Sequence, residues 1–389
     1  MPKKSIVFVS STRADFGKLK PLMQAVKQKK EFDLHIFVTG MHMLKKYGST
    51  WQDVVNSDLG KVHMYVNQHQ GENAASILSK TIIGLTDYVL EEKPDLIVVH
   101  GDRIEALATA SVAMLNRILI AHIEGGEISG TVDEVIRHAV SKISNRHFTS
   151  NAESRSRLIQ LGENPQHIYA IGSPEVDVMD SDQLPTLEDS KKWYGIEFKD
   201  YSLLIYHPVH NEIPELAKNS KAIADFVMKS EDNFIVIAPN NDEGSNLIEL
   251  EFSKFHDCSR VRLLPSMRFE YYLSFLKNAR CILGNSSSGI REAPFYGVPS
   301  VNIGSRQRNR GSANTIFNCE PTVESILNAY SSAIECRREK SFRFGQGDSA
   351  ISFARILSEN LFWSGSTEKQ FIDSKSHPMK IGDPSLYEN

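Results

Sequence analysis

Short apolar runs recur along the chain, each ended by a charged or glycine-bearing turn and then a helical pattern. They cover residues 6–9, 35–38, 96–99, 118–122 and 168–171, then 203–206, 234–238, 262–264, 280–283 and 300–302. Near-continuous apolarity over so few residues marks strands buried on both faces. Helices between such strands act as crossovers, so the sheets are parallel. The pattern pauses over 173–199, a stretch rich in Pro, Asp and Ser, and restarts at 203. The expected fold class is α/β, with two Rossmann-like domains facing a cleft. The first covers 1–175 and the second 176–365, while the tail 366–389 either packs back or is disordered. A length of 389 residues fits, because single cores stop growing beyond about 250–300 residues.

A net charge of −4 argues against a nucleic-acid partner, which needs a concentrated basic surface. The basic clusters at Lys3-Lys4 and at 27–30 read as solvated surface. No window approaches the ~20 apolar residues of a membrane helix. The run after Lys4 is too short for the apolar core of a signal peptide, so a cytoplasmic location is expected. Cys258, Cys281, Cys319 and Cys336 form no CxxC pair, which points to reduced thiols rather than zinc or a redox dithiol.

Ligands of open parallel sheets bind beyond the carboxyl ends of the strands. Four such ends carry a charged or titratable residue: Arg13, Asp102, Glu124 and His207. Asp102 follows Gly101, whose missing side chain permits a tight turn; it is either the cap of the next helix or a cleft acid. Glu124 stands before two glycines in an open loop. Thr131 and Glu134 have the spacing of a capping box for the helix that follows. On that helix Asp133 and Arg137 are four residues apart. They form either a surface ion pair or a second polar group at the cleft.

Residues 285–289, Asn-Ser-Ser-Ser-Gly, follow the run 280–283 and lead into a helical pattern from 290. Hydroxyls and backbone N–H groups there suit a diphosphate, with Ser286, Ser287, Ser288 and Gly289 as the cradle. Arg13 and Lys18 from the other half add positive charge, and Glu292 is placed to accept ribose hydroxyls. The loop is neither a P-loop nor GxGxxG, which disfavours an ATPase or dinucleotide enzyme.

Taken together, SSTRADFGKLK, TGMHMLKKYGSTW, HGDRIEALA, HIEGGEISGTVDEVIRHAVSKIS, FTSNAESRSRLIQLGE and GNSSSGIREAPFYGVPSVNIGSRQ resemble the hydrolysing UDP-N-acetylglucosamine 2-epimerases of sialic-acid biosynthesis. The likeness runs from about residue 5 to about residue 374. It implies a glycosyltransferase-B type fold, a homodimer or homotetramer, a nucleotide-sugar substrate, and no metal or cofactor. It further implies Asp102, Glu124 and Asp133 as catalytic acids and His207 as the active-site histidine. Arg13, Ser286, Ser287, Glu292 and Arg306 match nucleotide-binding positions, and Arg137 matches an arginine on the Asp133 helix. The chain departs from the usual family pattern at His210-Asn211, where two threonines are common.

The chemistry explains why such groups belong together. C2 of a UDP-N-acetylhexosamine has no adjacent carbonyl, so a carbanion there is poorly stabilised. Departure of the diphosphate from C1 acidifies the C2 hydrogen instead. Donors must then hold the diphosphate while carboxylates move the proton and deliver water. The expected division has Asp102 and Glu124 on opposite faces of C2, Asp133 on the water, and His207 on the diphosphate or sugar. The rival readings are a non-hydrolysing epimerase, a glycosyltransferase and a silent nucleotide-sugar sensor. A further alternative is the same reaction on a UDP- or GDP-linked 2,4-diacetamido-trideoxy hexose.

Overall fold

The computed structural model describes residues 3–129, 132–209, 212–239, 242–307, 313–370 and 372. The first sheet holds β1 (Lys4–Ser10), β2 (Phe32–Val38), β3 (Lys61–Met64), β4 (Leu96–His100), β5 (Leu119–Ile123), β6 (Arg146–Thr149) and β7 (Ile168–Ala170). The second holds β8 (Ser202–Ile205), β9 (Phe234–Ile237), β10 (Val261–Leu264), β11 (Ile282–Gly284), β12 (Ser300–Ile303) and β13 (Ile316–Cys319). All pairings are parallel. The orders are β3-β2-β1-β4-β5-β6-β7 and β10-β9-β8-β11-β12-β13.

Each sheet reverses its order once, between β1 and β4 and between β8 and β11. Helices on either side of such a point diverge and leave a crevice beyond the strand ends. The two crevices supply the candidate site. Their strands are also the deepest: Ile6, Val7, Phe8 and Leu96 to Val99 are fully buried, as are Leu203 and Leu204. Each such side chain contributes about 1.5–3 kcal/mol by leaving water, which fixes the platform.

Three strands lack a legible apolar run. β3 is an edge strand with a mostly exposed face. β6 reads Arg-His-Phe-Thr yet is wholly buried, because Arg146 and His147 find buried acceptors. β13 closes the far edge of the second sheet.

The chain crosses between the domains twice. In the first crossover, Val176 and Met179 of the helix Pro174–Met179 join the second core. In the second, the helices Ser349–Leu357 and Asn360–Trp363 return to the first domain, where Phe353, Ile356, Leu357 and Phe362 complete its core. The crossovers touch at Gly172 and Gly345, both at positive φ (85° and 125°), and Ser173 N–H donates to the Phe344 carbonyl at 2.7 Å. Asp177 caps the returning helix, accepting from the N–H groups of Ser349 and Ala350 at 3.0 and 3.2 Å. The expected unit 176–365 therefore does not describe 349–363, whose apolar stripe belongs to the first sheet.

The described part of the tail packs back. Arg146 donates to the carbonyls of Phe362 (2.8 Å) and Ser364 (2.6 Å), Asn145 to that of Thr367 (2.8 Å), and Lys369 to that of Ser144 (2.7 Å). The expected capping residue Thr131 and the departure at His210-Asn211 lie outside the described residues. No helix among the described residues is long and apolar enough to cross a membrane.

Candidate active site

On the second domain the site is built on β8 and β11. Gly284 has φ +119°, and a Cβ there would sit 1.9 Å from the Ile205 carbonyl. Glycine lets β11 end tight against β8. Asn285 then reaches across: its side-chain oxygen accepts from His207 N–H at 2.7 Å and its amide donates to the His207 carbonyl at 2.8 Å. The Asn285 carbonyl in turn accepts from Arg306 (3.1 Å) and Gln307 (2.9 Å). One residue thus fixes both, His207 through its side chain and Arg306 through its carbonyl. Burial, then the charge of Arg306, lowers the His207 pKa to about 3, so the ring is neutral at pH 7.

The loop after Asn285 forms a 3₁₀ turn, Ser287–Gly289, with the Ser286 hydroxyl accepting from Ser288 N–H at 3.3 Å. The expected continuous helix from 290 is a five-residue helix, Glu292–Tyr296. So short a helix adds little dipole, and the hydroxyls carry the anion-binding capacity. Ser288 also bonds the Tyr272 hydroxyl, and Gly289 packs beneath the turn against Ser300.

On the first domain, the helix Arg13–Lys27 begins earlier than its apolar pattern suggests, because Thr12 caps it by accepting from Asp15 N–H at 3.1 Å. Arg13 is therefore the first helical residue. It ion-pairs with Asp53 at 2.9 Å and donates across the cleft to Ser266 at 3.2 Å. Lys18 meets Glu175, and also Glu292 at 3.4 Å. Burial opposes its charge, but Glu175 and Glu292 outweigh this and raise its pKa.

Asp102 does not cap the helix Ile104–Leu115, whose cap position is Arg103. It pairs with Arg137, which is buried and also donates to the Glu127 carbonyl at 3.1 Å. Arg137 is thus no surface residue: the helix Val132–Ile143 sends it inward to hold Asp102. Asp133 lies in the first turn of that helix, and its charge acts on Arg103. Glu134 reaches back past the expected cap position, accepting from Ser129 N–H at 2.5 Å.

Glu124, at φ +63°, turns inward after β5. It is buried and accepts from His100 at 3.0 Å, from Arg291 at 2.5 Å and from Ser173. Burial would raise its pKa, but Arg291 and His100 overcome that and hold it well below the usual carboxylate range. His100 lies between Glu124 and Asp15, with its other ring nitrogen 2.7 Å from Asp15. Burial alone would lower the His100 pKa; the two carboxylates raise it to about 9. Arg291 joins Glu124, Glu127 (2.5 Å) and Glu175 (2.5 Å), tying the second domain to the first. The residues 100, 127, 175, 285 and 291 were not singled out by the sequence. For Arg291 the reason is distance along the chain: Glu124 and Glu127 precede it by 167 and 164 positions.

Between the two sides lies an open cleft, with about 1200 Å³ of empty space when the adjoining open solvent is included. Arg13, Lys18, His207, Ser286, Ser287, Ser288, Glu292 and Arg306 line it, together with Arg103 and Tyr47. Asp102, Glu124, Asp133, Arg137 and Gly289 are not among its lining residues. Glu292 Oε2 is buried and has no hydrogen-bond partner among the described residues. Cations, hydroxyls and an apolar stretch at 237–239 and 265–267 in one lining match a nucleoside diphosphate.

A family model described as UDP-N-acetylglucosamine 2-epimerase matches residues 24–358. The UDP-N-acetylglucosamine 2-epimerase of Neisseria meningitidis serogroup B is 41% identical over 374 residues, covering 95% of this chain and 99% of its own length. A protein of Legionella pneumophila named as a hydrolyzing UDP-N,N'-diacetylbacillosamine 2-epimerase is 32% identical, over 91% of this chain and 95% of its own. The crystal structure of a UDP-GlcNAc 2-epimerase from N. meningitidis bound to UDP-GlcNAc has the same fold, with TM-score 0.77 at 18% identity, covering 91% of this chain and 99% of that one. The extent of these matches, and the agreement of the two-sheet fold with them, make this chain a member of the UDP-N-acetylglucosamine 2-epimerase family.

Proposed function

We propose that the protein is a hydrolysing UDP-N-acetylglucosamine 2-epimerase that releases UDP and free N-acetylmannosamine. One observation carries the reading: Asp102, paired to Arg137, is the chain neighbour of Arg103, which lines the same cavity as Ser286–Ser288, Arg306, Arg13 and Lys18. This supports a leaving diphosphate and a group of carboxylates acting on one bound molecule. The hydrolysing branch is supported by the Legionella relative and by the run HIEGGEISGTVDEVIRH.

The diphosphate leaves C1 toward the hydroxyl loop and the arginines, which stabilise its charge as it develops. The C2 proton moves to a carboxylate, giving a glycal, and a proton returns to the opposite face as water adds to C1. Asp102 and Glu124 serve the two faces of C2. Glu124 acts together with His100, which its charge keeps protonated. To meet the sugar directly, Glu124 exchanges Arg291 or Ser173 for substrate. Asp133 orients the water, and neutral His207 donates to the diphosphate or sugar. The enzyme works as a cytoplasmic homodimer or homotetramer without metal or cofactor.

The reaction run in D₂O tests this. Deuterium is expected at C2 of free N-acetylmannosamine, alongside one UDP per sugar. Hydrogen retained at C2 removes the elimination route, and UDP-linked product removes the hydrolysing branch. The Legionella relative also supports a second reading, the same reaction on UDP-N,N'-diacetylbacillosamine. Rates of UDP release from the two nucleotide sugars separate them.

A further inference from the structure

The first-domain wall of the cavity contains a polar group that no step above uses. Met41, Tyr47, Thr50 and Arg103 form this wall. Tyr47 closes a 3₁₀ turn, Lys45–Tyr47, and is 8% exposed. Its hydroxyl is buried and has no hydrogen-bond partner among the described residues. A buried hydroxyl left without a partner costs about 1–3 kcal/mol, so native proteins keep few of them.

The turn is not loosely held. Gly48 follows at φ +88°, and His42 Nδ1 bonds the Thr50 hydroxyl at 2.7 Å, pinning the segment just beyond Tyr47. Lys46 lies over the Tyr47 ring at 5.7 Å while pairing with Glu249 of the second domain at 3.0 Å. Lys46 thus ties the turn that carries Tyr47 to the second domain. Burial holds the phenol protonated, so it can donate.

Its surroundings bear on what it meets. The apolar lining at 237–239 and 265–267 suits a base, and the hydroxyl loop suits the diphosphate. Tyr47 feels the charges of Glu249, Asp242 and Arg103, and Arg103 adjoins Asp102 and feels Asp133, the acids assigned above to the sugar. We propose that the Tyr47 hydroxyl hydrogen-bonds a ring hydroxyl of the hexose and thereby helps select the sugar rather than the nucleotide. This assignment rests on the nucleotide-sugar reading above. A site built to pair a substrate hydroxyl discriminates strongly against analogues that lack it, because its own polar group is then left buried and alone.

Tyr47→Phe removes only the oxygen and breaks no hydrogen bond among the described residues. Initial rates with UDP-N-acetylglucosamine, competitive inhibition by UDP, and the melting temperature are read side by side. The expected result is a roughly tenfold rise in KM, the loss of one net hydrogen bond, with UDP inhibition unchanged and the melting temperature equal or higher. An unchanged KM with a raised melting temperature overturns the proposal, because the hydroxyl is then only a buried defect. Equal rises in KM and in the UDP inhibition constant also overturn it, because the hydroxyl then serves the nucleotide. If the wild type does not turn over UDP-N-acetylglucosamine, the reaction assignment fails by itself. Calorimetric affinities for intact UDP-N-acetylglucosamine and UDP then give the same contrast without turnover.

Discussion

The two switch points face each other across one cavity, yet they are chemically unlike. Beyond β1 and β4 the groups are titratable and interlocked: Asp15, His100 and Glu124 form a hydrogen-bonded chain that Arg291 of the second domain joins. Beyond β8 and β11 the cavity lining is mostly neutral: Ser286, Ser287, Ser288 and an uncharged His207 held by Asn285, beside Glu292 and the cation Arg306. In the proposed reaction protons change hands on the first side, where a low local dielectric strengthens every charge. The second side holds the departing nucleotide. Rigid, uncharged donors do that without shifting their own protonation. On that proposal the same topology supplies a reactive half and a holding half.

Asp102→Asn probes this division most severely. It keeps a side-chain oxygen for Arg137 but removes the acid, so kcat should fall by about 10²–10⁴-fold. UDP, held by the other half, should inhibit as before. A matched loss in UDP binding would show that the halves are not separable. Arg291→Met comes next. Glu124, Glu127 and Glu175 would stay buried without their shared cation, at a cost of about 3–5 kcal/mol in stability. A urea midpoint unchanged from wild type would mean that the charged chain does not lock the domains together.

The smallest effect is on pH dependence, and its sign differs between the halves. His100 has its pKa raised to about 9, so its stabilisation is complete below its ordinary value near 6.5 and disappears as pH rises through 9. His207 has its pKa lowered to about 3, so the stability tied to its neutral ring is present above 6.5 and is lost as pH falls toward 3. Melting temperatures across pH should show His100→Gln flattening the alkaline limb alone. His207→Asn should soften only the acid limb, and modestly, because buried His42 and His122 share it.

Much of this was legible in order along the chain. Buried central strands such as residues 96–99 declare themselves, because both faces must be apolar. β3 did not, since an exposed edge needs no apolar stripe. β6 did not either, because Arg146 and His147 are buried through partners far away in sequence, Phe362 and Glu163. The candidate site divides in the same way. Strand-end positions exposed Asp102, Glu124 and His207, while a Ser-rich turn exposed the cradle. Arg291 and His100 matter through tertiary partners and so left no local pattern. Glu124 illustrates the limit: its place at a strand end was evident, but its engagement with Arg291 was not.

The return of the helices Ser349–Leu357 and Asn360–Trp363 to the first sheet has a consequence for biosynthesis. A ribosome delivers β1 to β7 first, but the aromatic residues that seal their core, Phe353 and Phe362, are among the last to emerge. The amino-terminal half must wait with an apolar groove uncovered while the whole second domain is made. Completion of the first domain is thus timed to the end of translation, and a chain cut short before these helices cannot close it.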